Sequence, residues 1–312
     1  MRKLRGTYTV TVTPFTEEGR RVDAGALRRL VEFQVTEGIH GLIPLGSTGE
    51  SLSVSDGERD EVVAITVAQA ARRVPVVPGC TAENTDDAIR YARAAERLGA
   101  DGVMVMTPYY AALDEDEIVT HFTRIGEAIS IPMMLYNHPV SGGFDLTPPV
   151  VKRLSEVDTI RYIKESTIDV RRVTQIQRLC GDRMTVFGGY LGFESFVVGA
   201  EGWVAVCANV APRVSAEVFT LAVDTQDLPG AQKAFHHVSP LIDFLGDHLY
   251  VHGMKAAFRM IGMPMGDPRP PRLRLEPALA ARLRDILIGM GFTLDERAVR
   301  DVLEPRRAPR SA

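Results

Sequence analysis

The chain has 312 residues, 45% hydrophobic and 24% charged, a balance that excludes disordered, collagenous and small disulfide-stapled classes and suffices for a large core. Its 36 basic and 40 acidic side chains leave a net charge of -4, so no positive field is available to gather nucleic acid or an anionic membrane. Cys80, Cys180 and Cys207 are widely spaced in mostly apolar stretches and match neither a disulfide framework nor a CxxC metal site, which reads as buried thiols of a reducing compartment. The N-terminal Met1-Arg2-Lys3-Leu4-Arg5 runs into Thr/Val alternation without a signal-peptide h-region. No apolar run reaches the roughly 18 residues of a membrane span, so a cytoplasmic protein is expected.

Apolar runs near 7–13, 41–45, 74–78, 102–106, 131–136, 160–164, 184–187 and 203–206 read as strands, each followed by helical periodicity. Three copies of one joint recur: Gly38-Ile-His-Gly41, Gly99-Ala-Asp-Gly102 and Gly199-Ala-Glu-Gly202, each opening a short apolar run. The first glycine suits the left-handed position that closes a helix, and a run without alternation suits a strand covered on both faces, which is typical of parallel sheets. Helix starts are predicted at Asp23, at the capping box Ser55-x-x-Glu58 and at Asn84 or Thr85. Eight strand-helix units imply a (β/α)8 barrel, with a doubly wound open sheet as the structural alternative. From Pro212 the periodicity is purely helical, near 212–223, 228–248, 252–262 and 276–290. The predicted organisation is a catalytic barrel over 1–225 and a C-terminal helical domain over 226–312, ending in a loose Pro/Arg tail from Glu304.

In such a barrel the working residues sit at the C-terminal ends of strands. There the chain reads Gly46-Ser47-Thr48-Gly49-Glu50, Thr107-Pro108-Tyr109-Tyr110, Tyr136-Asn137-His138-Pro139 and Lys164-Glu165-Ser166-Thr167. The chain strongly favours arginine, and of its lysines, Lys3, Lys152, Lys164, Lys233 and Lys255, only Lys164 ends a predicted buried strand. Burial disfavours the ammonium and frees an amine to attack a carbonyl. The competing structural reading pairs Lys164 with Glu165 at the barrel rim. Tyr136, next to Lys164 in barrel order, is a phenol able to carry protons to and from a carbinolamine, or else a packed tyrosine of the barrel mouth. Ser47 and Thr48, between Gly46 and Gly49, offer hydroxyls and backbone N–H groups for a carboxylate, although such turns also occur as plain loops.

Other residues carry less. His236, His237, His248 and His252 lie in the helical extension without zinc spacing and read as surface or packing residues, so no metal is expected. Asp114-Glu115-Asp116-Glu117 opens a helix, where carboxylates favour the positive end of the dipole. Gly188-Gly189 lacks the pattern of a dinucleotide fingerprint.

Taken together, Gly46 to Glu50, Tyr136-Asn137-x-Pro139 and Lys164 to Thr167 resemble the dihydrodipicolinate synthase / N-acetylneuraminate lyase family over about residues 5 to 300. Thr13-Pro14-Phe15, Thr107-Pro108-Tyr109-Tyr110 and Ala208-Asn209-Val210-Ala211-Pro212 extend the likeness. The resemblance implies a (β/α)8 barrel with a C-terminal helical domain, a homotetramer built as a dimer of dimers, and aldolase chemistry on pyruvate or another small 2-oxo acid, with no cofactor. It implies that Lys164 forms the Schiff base, Tyr136 is the acid/base, and Ser47 and Thr48 hold the carboxylate. Tyr110 would reach across the tight dimer to complete a proton relay with Ser47 and Tyr136.

The departures bear on substrate. Ser141 stands where dihydrodipicolinate synthases carry an arginine for the aldehyde partner's carboxylate, which argues against lysine biosynthesis. Gly188-Gly189-Tyr190-Leu191-Gly192 replaces the Asp-Glu pair with which neuraminate lyases bind sugar hydroxyls, and Val206 replaces their serine. His138 stands in a place to meet a second substrate or to be a satisfied rim residue. The segments Lys164 to Arg172 and Gly199 to Trp203 are also similar, more loosely, to a branch that deaminates a pyrroline hydroxycarboxylate. The readings are therefore a Schiff-base lyase or aldolase, a dehydratase or deaminase using the same imine, and a non-catalytic 2-oxo acid binder.

Overall fold

The computed structural model describes residues 3–16, 19–246 and 248–304. Its seven strands are β1 (Gly6–Val10), β2 (Gly41–Ile43), β3 (Val103–Met106), β4 (Met133–Asn137), β5 (Ile160–Glu165), β6 (Thr185–Gly188) and β7 (Gly202–Ala205). All pairs are parallel, in the order β2-β1-β7-β6-β5-β4-β3. The predicted strand at 74–78 is present as a joint rather than a ladder. Pro75 and Pro78 supply no N–H, and the segment makes isolated parallel bridges, Leu42 with Val76 and Gly79 with Met104. The carbonyl of Pro75 accepts from the Leu42 N–H and that of Pro78 from the Met104 N–H, each at 2.9 Å. This segment joins β2 to β3, and the architecture is the (β/α)8 barrel rather than an open sheet.

The apolar runs are long because both faces of each strand are covered. Val10, Ile43, Met104, Met106, Met134, Tyr162, Phe187 and Val204 fill the barrel interior. Their neighbours Leu42, Val103, Val105, Leu135, Ile163, Val186 and Trp203 pack outward against the helices. The repeated joint has a twofold cause. Gly38, Gly99 and Gly199 take φ of +85, +88 and +103°, and a Cβ on the second glycine would strike a neighbour, as at Gly202, where it would lie 2.1 Å from the Phe187 ring.

Helix starts follow the sequence closely. The Asp23 carboxylate accepts from the Ala26 N–H, Ser55 and Glu58 form the capping box, and Asn84 caps the helix Thr85–Arg97. Asp114 caps Glu115–Glu127, so the acidic run is a helix start. Beyond the barrel strands come Pro212–Phe219 with a π turn at Thr220–Asp224, then Leu228–Leu245, Tyr250–Met260 and Pro277–Gly289. The helical periodicity read from the sequence ends near 290 and does not announce the last helix, Glu296–Leu303, which is short, polar and capped by Asp295. Of the predicted loose tail, residues 305–312 lie outside the described residues. No helix among the described residues is long and apolar enough to cross a membrane.

Two elements of the family-like pattern turn out to brace the C-terminal helices. Lys255 is a second buried lysine, only 2% exposed, which its place near a helix start did not reveal. Its amine lies 2.7 Å from the Glu50 carboxylate and 4.1 Å from the centre of the Phe15 ring. The Arg269 guanidinium stacks on Phe15 at 4.0 Å and pairs with Glu58, while the Arg269 N–H donates to Glu50 at 2.9 Å. Thr13 donates to the Gly49 carbonyl at 2.6 Å. Burial lowers the Lys255 pKa to about 8 despite the nearby Glu50. Removing one partner strands the other charge in the interior. Lys255→Met is therefore expected to lower the unfolding free energy by about 3–5 kcal/mol, read from a denaturant midpoint. Adding Glu50→Gln to it should recover part of the loss.

Candidate active site

The strand register brings the predicted residues to one mouth. Tyr136 at the end of β4 is the direct partner of Lys164 on β5, and Ser47 and Thr48 follow β2 across the barrel. Strand alternation turns Lys164 inward, like Tyr162 two residues earlier, and Glu165 outward. A cavity of about 410 Å³ is lined by Ser47, Thr48, Tyr136, His138, Ser141, Lys164 and Val206, with wall residues from the helix Leu228–Leu245. Gly46 lines an adjoining cleft of about 180 Å³ that shares Ser47, Tyr136, Ser141 and Tyr250 with the cavity.

Lys164 is 7% exposed, and its amine sits 3.8 Å above the centre of the Tyr136 ring. The proposed pairing with Glu165 does not occur. The Glu165 carboxylate accepts from Asn137 Nδ2 at 3.0 Å and from the Thr167 N–H at 2.7 Å, on the outer side of the strand. Asn137 is itself fixed by Asp145 at 3.1 Å and by the Leu146 N–H at 2.9 Å, and Arg172 pairs with Asp145. With no carboxylate to offset desolvation, burial alone lowers the Lys164 pKa to about 7. The Tyr136 phenol is pushed up to about 12 by burial, against a lowering hydrogen bond from Ser47. An amine that loses its proton near neutral pH, a protonated phenol and the Ser47 hydroxyl thus share one cavity.

The loop after β2 is built around backbone constraints. Leu45 and Glu50 adopt left-handed φ of 59 and 53°, and a Cβ on Gly79 would lie 2.1 Å from the Leu45 carbonyl oxygen. Glycine at 79 therefore lets the joint strand press against this loop and hold Ser47 and Thr48 at the mouth. Beyond β1, β7 passes through Val206 into a tight turn locked by Asn209. Its side chain donates to the Val10 and Val206 carbonyls at 2.9 Å and accepts from the Val12 N–H at 3.0 Å.

His138 Nδ1 accepts from the Ser141 N–H at 3.1 Å, which in a neutral ring leaves the proton on Nε2, 2.9 Å from the Tyr190 phenol. Tyr190, Ile168 and Asp243 line the same cavity and were not singled out as site residues by the sequence. Tyr190 had a signal, since it follows the Gly188-Gly189 end of β6. Asp243 had none, because it arrives from a helix distant in the chain. Tyr110 does not join this cavity within one chain. It is 91% exposed, whereas Tyr109 lines the adjoining cleft. Lys3, Lys152 and Arg-rich helix faces are exposed and ion-paired at the surface, Lys3 with Glu201 and Lys152 with Glu156. Cys80, Cys180 and Cys207 are buried thiols.

A family model described as the dihydrodipicolinate synthetase family matches residues 3–288. The chain belongs to this family. It is 34% identical to a 4-hydroxy-tetrahydrodipicolinate synthase of Syntrophobacter fumaroxidans over 92% of this chain and 99% of that one. It is 37% identical to the one from Methanothrix thermoacetophila, over 92% and 97%. Among solved structures, a putative dihydrodipicolinate synthetase from Pseudomonas aeruginosa superposes with a TM-score of 0.88 at 35% identity, covering 92% of this chain and 100% of that chain. A chloride-inhibited dihydrodipicolinate synthase from Acinetobacter baumannii, complexed with pyruvate, gives 0.88 at 30% identity over 93% and 100%. As a member of the dihydrodipicolinate synthetase family the protein is a lyase of the class I aldolase type.

The depressed pKa of Lys164 has a direct readout. Its rate of acetylation by acetic anhydride, followed by peptide mass spectrometry, should rise with pH through a midpoint near 7, against about 10.4 for an ordinary lysine.

Proposed function

We propose that the protein is a Schiff-base-forming lyase acting on pyruvate or another small 2-oxo acid, and that it is not the lysine-biosynthetic synthase. The observation that carries the imine reading is the buried Lys164 amine, unpaired with any carboxylate among the described residues and set beside Tyr136 in a cavity large enough for a small substrate. The amine attacks the carbonyl carbon at position 2, giving a carbinolamine. Tyr136 delivers a proton to its oxygen, water leaves, and the protonated imine remains. Loss of a proton or a carbon fragment from the neighbouring carbon then gives an enamine, with the imine nitrogen as electron sink, so the reaction needs no cofactor. Ser47 and Thr48 supply hydroxyl and backbone donors to the carboxylate, and Tyr110 of a second copy completes the relay through Ser47 to Tyr136. The Acinetobacter relative was solved in complex with pyruvate, which supports a pyruvate-type substrate for this chain.

Ser141 supports the second half of the proposal. It lines the cavity as a short neutral side chain beside His138 and Tyr190, so position 141 itself gives a second substrate's carboxylate no cation, and Arg272 lines the adjoining cleft instead. The relatives' printed names favour synthase chemistry, while this wall favours a partner without that anion. The same imine serves dehydration or deamination, for which the similarity of Lys164 to Arg172 and Gly199 to Trp203 to a deaminating branch speaks. A homotetramer in the cytoplasm, with the barrel over 1–225 and the helical domain over 226–312, completes the reading.

Incubation with pyruvate and borohydride should leave a reduced adduct on Lys164, located by peptide mass spectrometry. Lys164→Ala should leave a folded barrel with no adduct and no turnover; retained turnover would rule out the imine. Tyr136→Phe should slow turnover by about 10²–10⁴-fold. Product analysis separates carbon-carbon cleavage from loss of water or ammonia.

A further inference from the structure

The turn from 107 to 113 carries Tyr109 toward the cleft and Tyr110 outward, yet it has no regular structure of its own. Pro108 supplies no N–H, and no backbone carbonyl among the described residues takes the N–H groups of Tyr109, Tyr110 or Ala111. All three converge instead on one side chain. The Glu83 carboxylate accepts from Tyr109 at 2.9 Å, from Tyr110 at 3.1 Å to each oxygen, and from Ala111 at 2.8 Å. Glu83 lies between the joint strand at 75–79 and the helix Thr85–Arg97, whose cap is the next residue, Asn84. The clamp therefore anchors the turn to the short connection between the joint strand and the helix Thr85–Arg97.

We propose that Glu83 is a positioning residue for the reaction, acting through Tyr110. This rests on the reading that Tyr110 serves the site of a second copy. Three N–H groups on a carboxylate form charge-assisted bonds, stronger than those to a neutral acceptor. They fix the direction in which an otherwise unsupported backbone presents its phenol. A proton relay tolerates little freedom, since donor and acceptor must meet at about 2.6–3.2 Å, and a misplacement of about 1 Å costs on the order of 10²-fold. The hydrogen bonds of the Glu83 carboxylate go to backbone N–H groups and Glu83 does not line the Lys164 cavity, so its effect on catalysis passes through geometry.

The experiment follows exchange of the pyruvate methyl protons with deuterated water by NMR, which reports enamine formation whatever the second reactant is. Glu83→Ala should slow exchange at saturating pyruvate by about 10- to 100-fold, with little change in the half-saturating concentration. Glu83→Gln keeps the volume but replaces one acceptor oxygen with a donor, and should fall between that variant and the wild type, with melting temperature as the check on folding. Tyr110→Phe should slow exchange comparably, and the double variant Glu83→Ala/Tyr110→Phe should be no slower than Tyr110→Phe alone. Normal exchange in both Glu83 variants, or losses that multiply in the double variant, would overturn the positioning role. Normal exchange in Tyr110→Phe with Lys164 still trapped by pyruvate and borohydride would overturn it while sparing the imine. Wild-type protein that neither exchanges nor traps pyruvate would overturn both.

Discussion

The burial of the Lys164 amine without a counter-ion is the condition around which the rest of the site is arranged. An ammonium in that position would lack both water and a carboxylate, so the enclosure favours the neutral, nucleophilic form. The adjacent Glu165 could have cancelled this. Strand alternation sends it to the outer face, and Asn137 and the Thr167 N–H hold it there. The outward polar set of Asn137, Asp145, Glu165 and Arg172 is engaged with itself and with backbone, which lets a carboxylate follow Lys164 in sequence without pairing with its amine. The motif positions after Tyr136 and Lys164 thus have a structural purpose distinct from the chemistry beside them.

A second buried lysine shows the opposite arrangement. Lys255 is paired with Glu50, capped by the Asp267 carbonyl at 3.1 Å and laid over Phe15. Its charge is compensated on several sides, and it acts as a tie between the loop after β2 and the C-terminal helices. The glycine-rich loop that offers Ser47 and Thr48 is held from beneath by Gly79, from the side by Thr13 and from above by this ion pair. A loop with two non-glycine residues at left-handed φ needs such support, because each carries backbone strain.

The cavity wall is divided by chemical character. One side carries the hydroxyls and backbone donors of Ser47 and Thr48, the other the hydrogen-bonded pair His138 and Tyr190 with Ser141. Lys164 stands between them, at the point where a 2-oxo carbon would be activated. In the proposed reaction the first side and the lysine serve the 2-oxo acid, which leaves the second side to face the fragment that is added, removed or retained. Family membership settles the class of reaction, and the proposal that this protein lies outside the biosynthetic branch rests on the Ser141 side of the cavity.

The sequence alone determined the parallel strand-helix rhythm, because strands covered on both faces leave uninterrupted apolar runs and left-handed helix ends demand glycine. It also picked out Lys164 and Tyr136, since an arginine-favouring chain kept a lysine at the end of a buried strand, and barrel order places consecutive strand ends together. Only the tertiary structure decided the rest. It showed that the proline-bearing run at 74–78 joins the ring without forming a ladder, and that Glu165 is no partner for Lys164. Burial of Lys255 was hidden because nothing in a helix pattern records that a carboxylate more than 200 residues away, Glu50, meets it. The same holds for Glu83: its partners are backbone N–H groups of the 109–111 turn, which have no residue identity to read. Local periodicity is written in the order of residues, but pairings between distant segments and bonds to backbone exist only once the chain has folded.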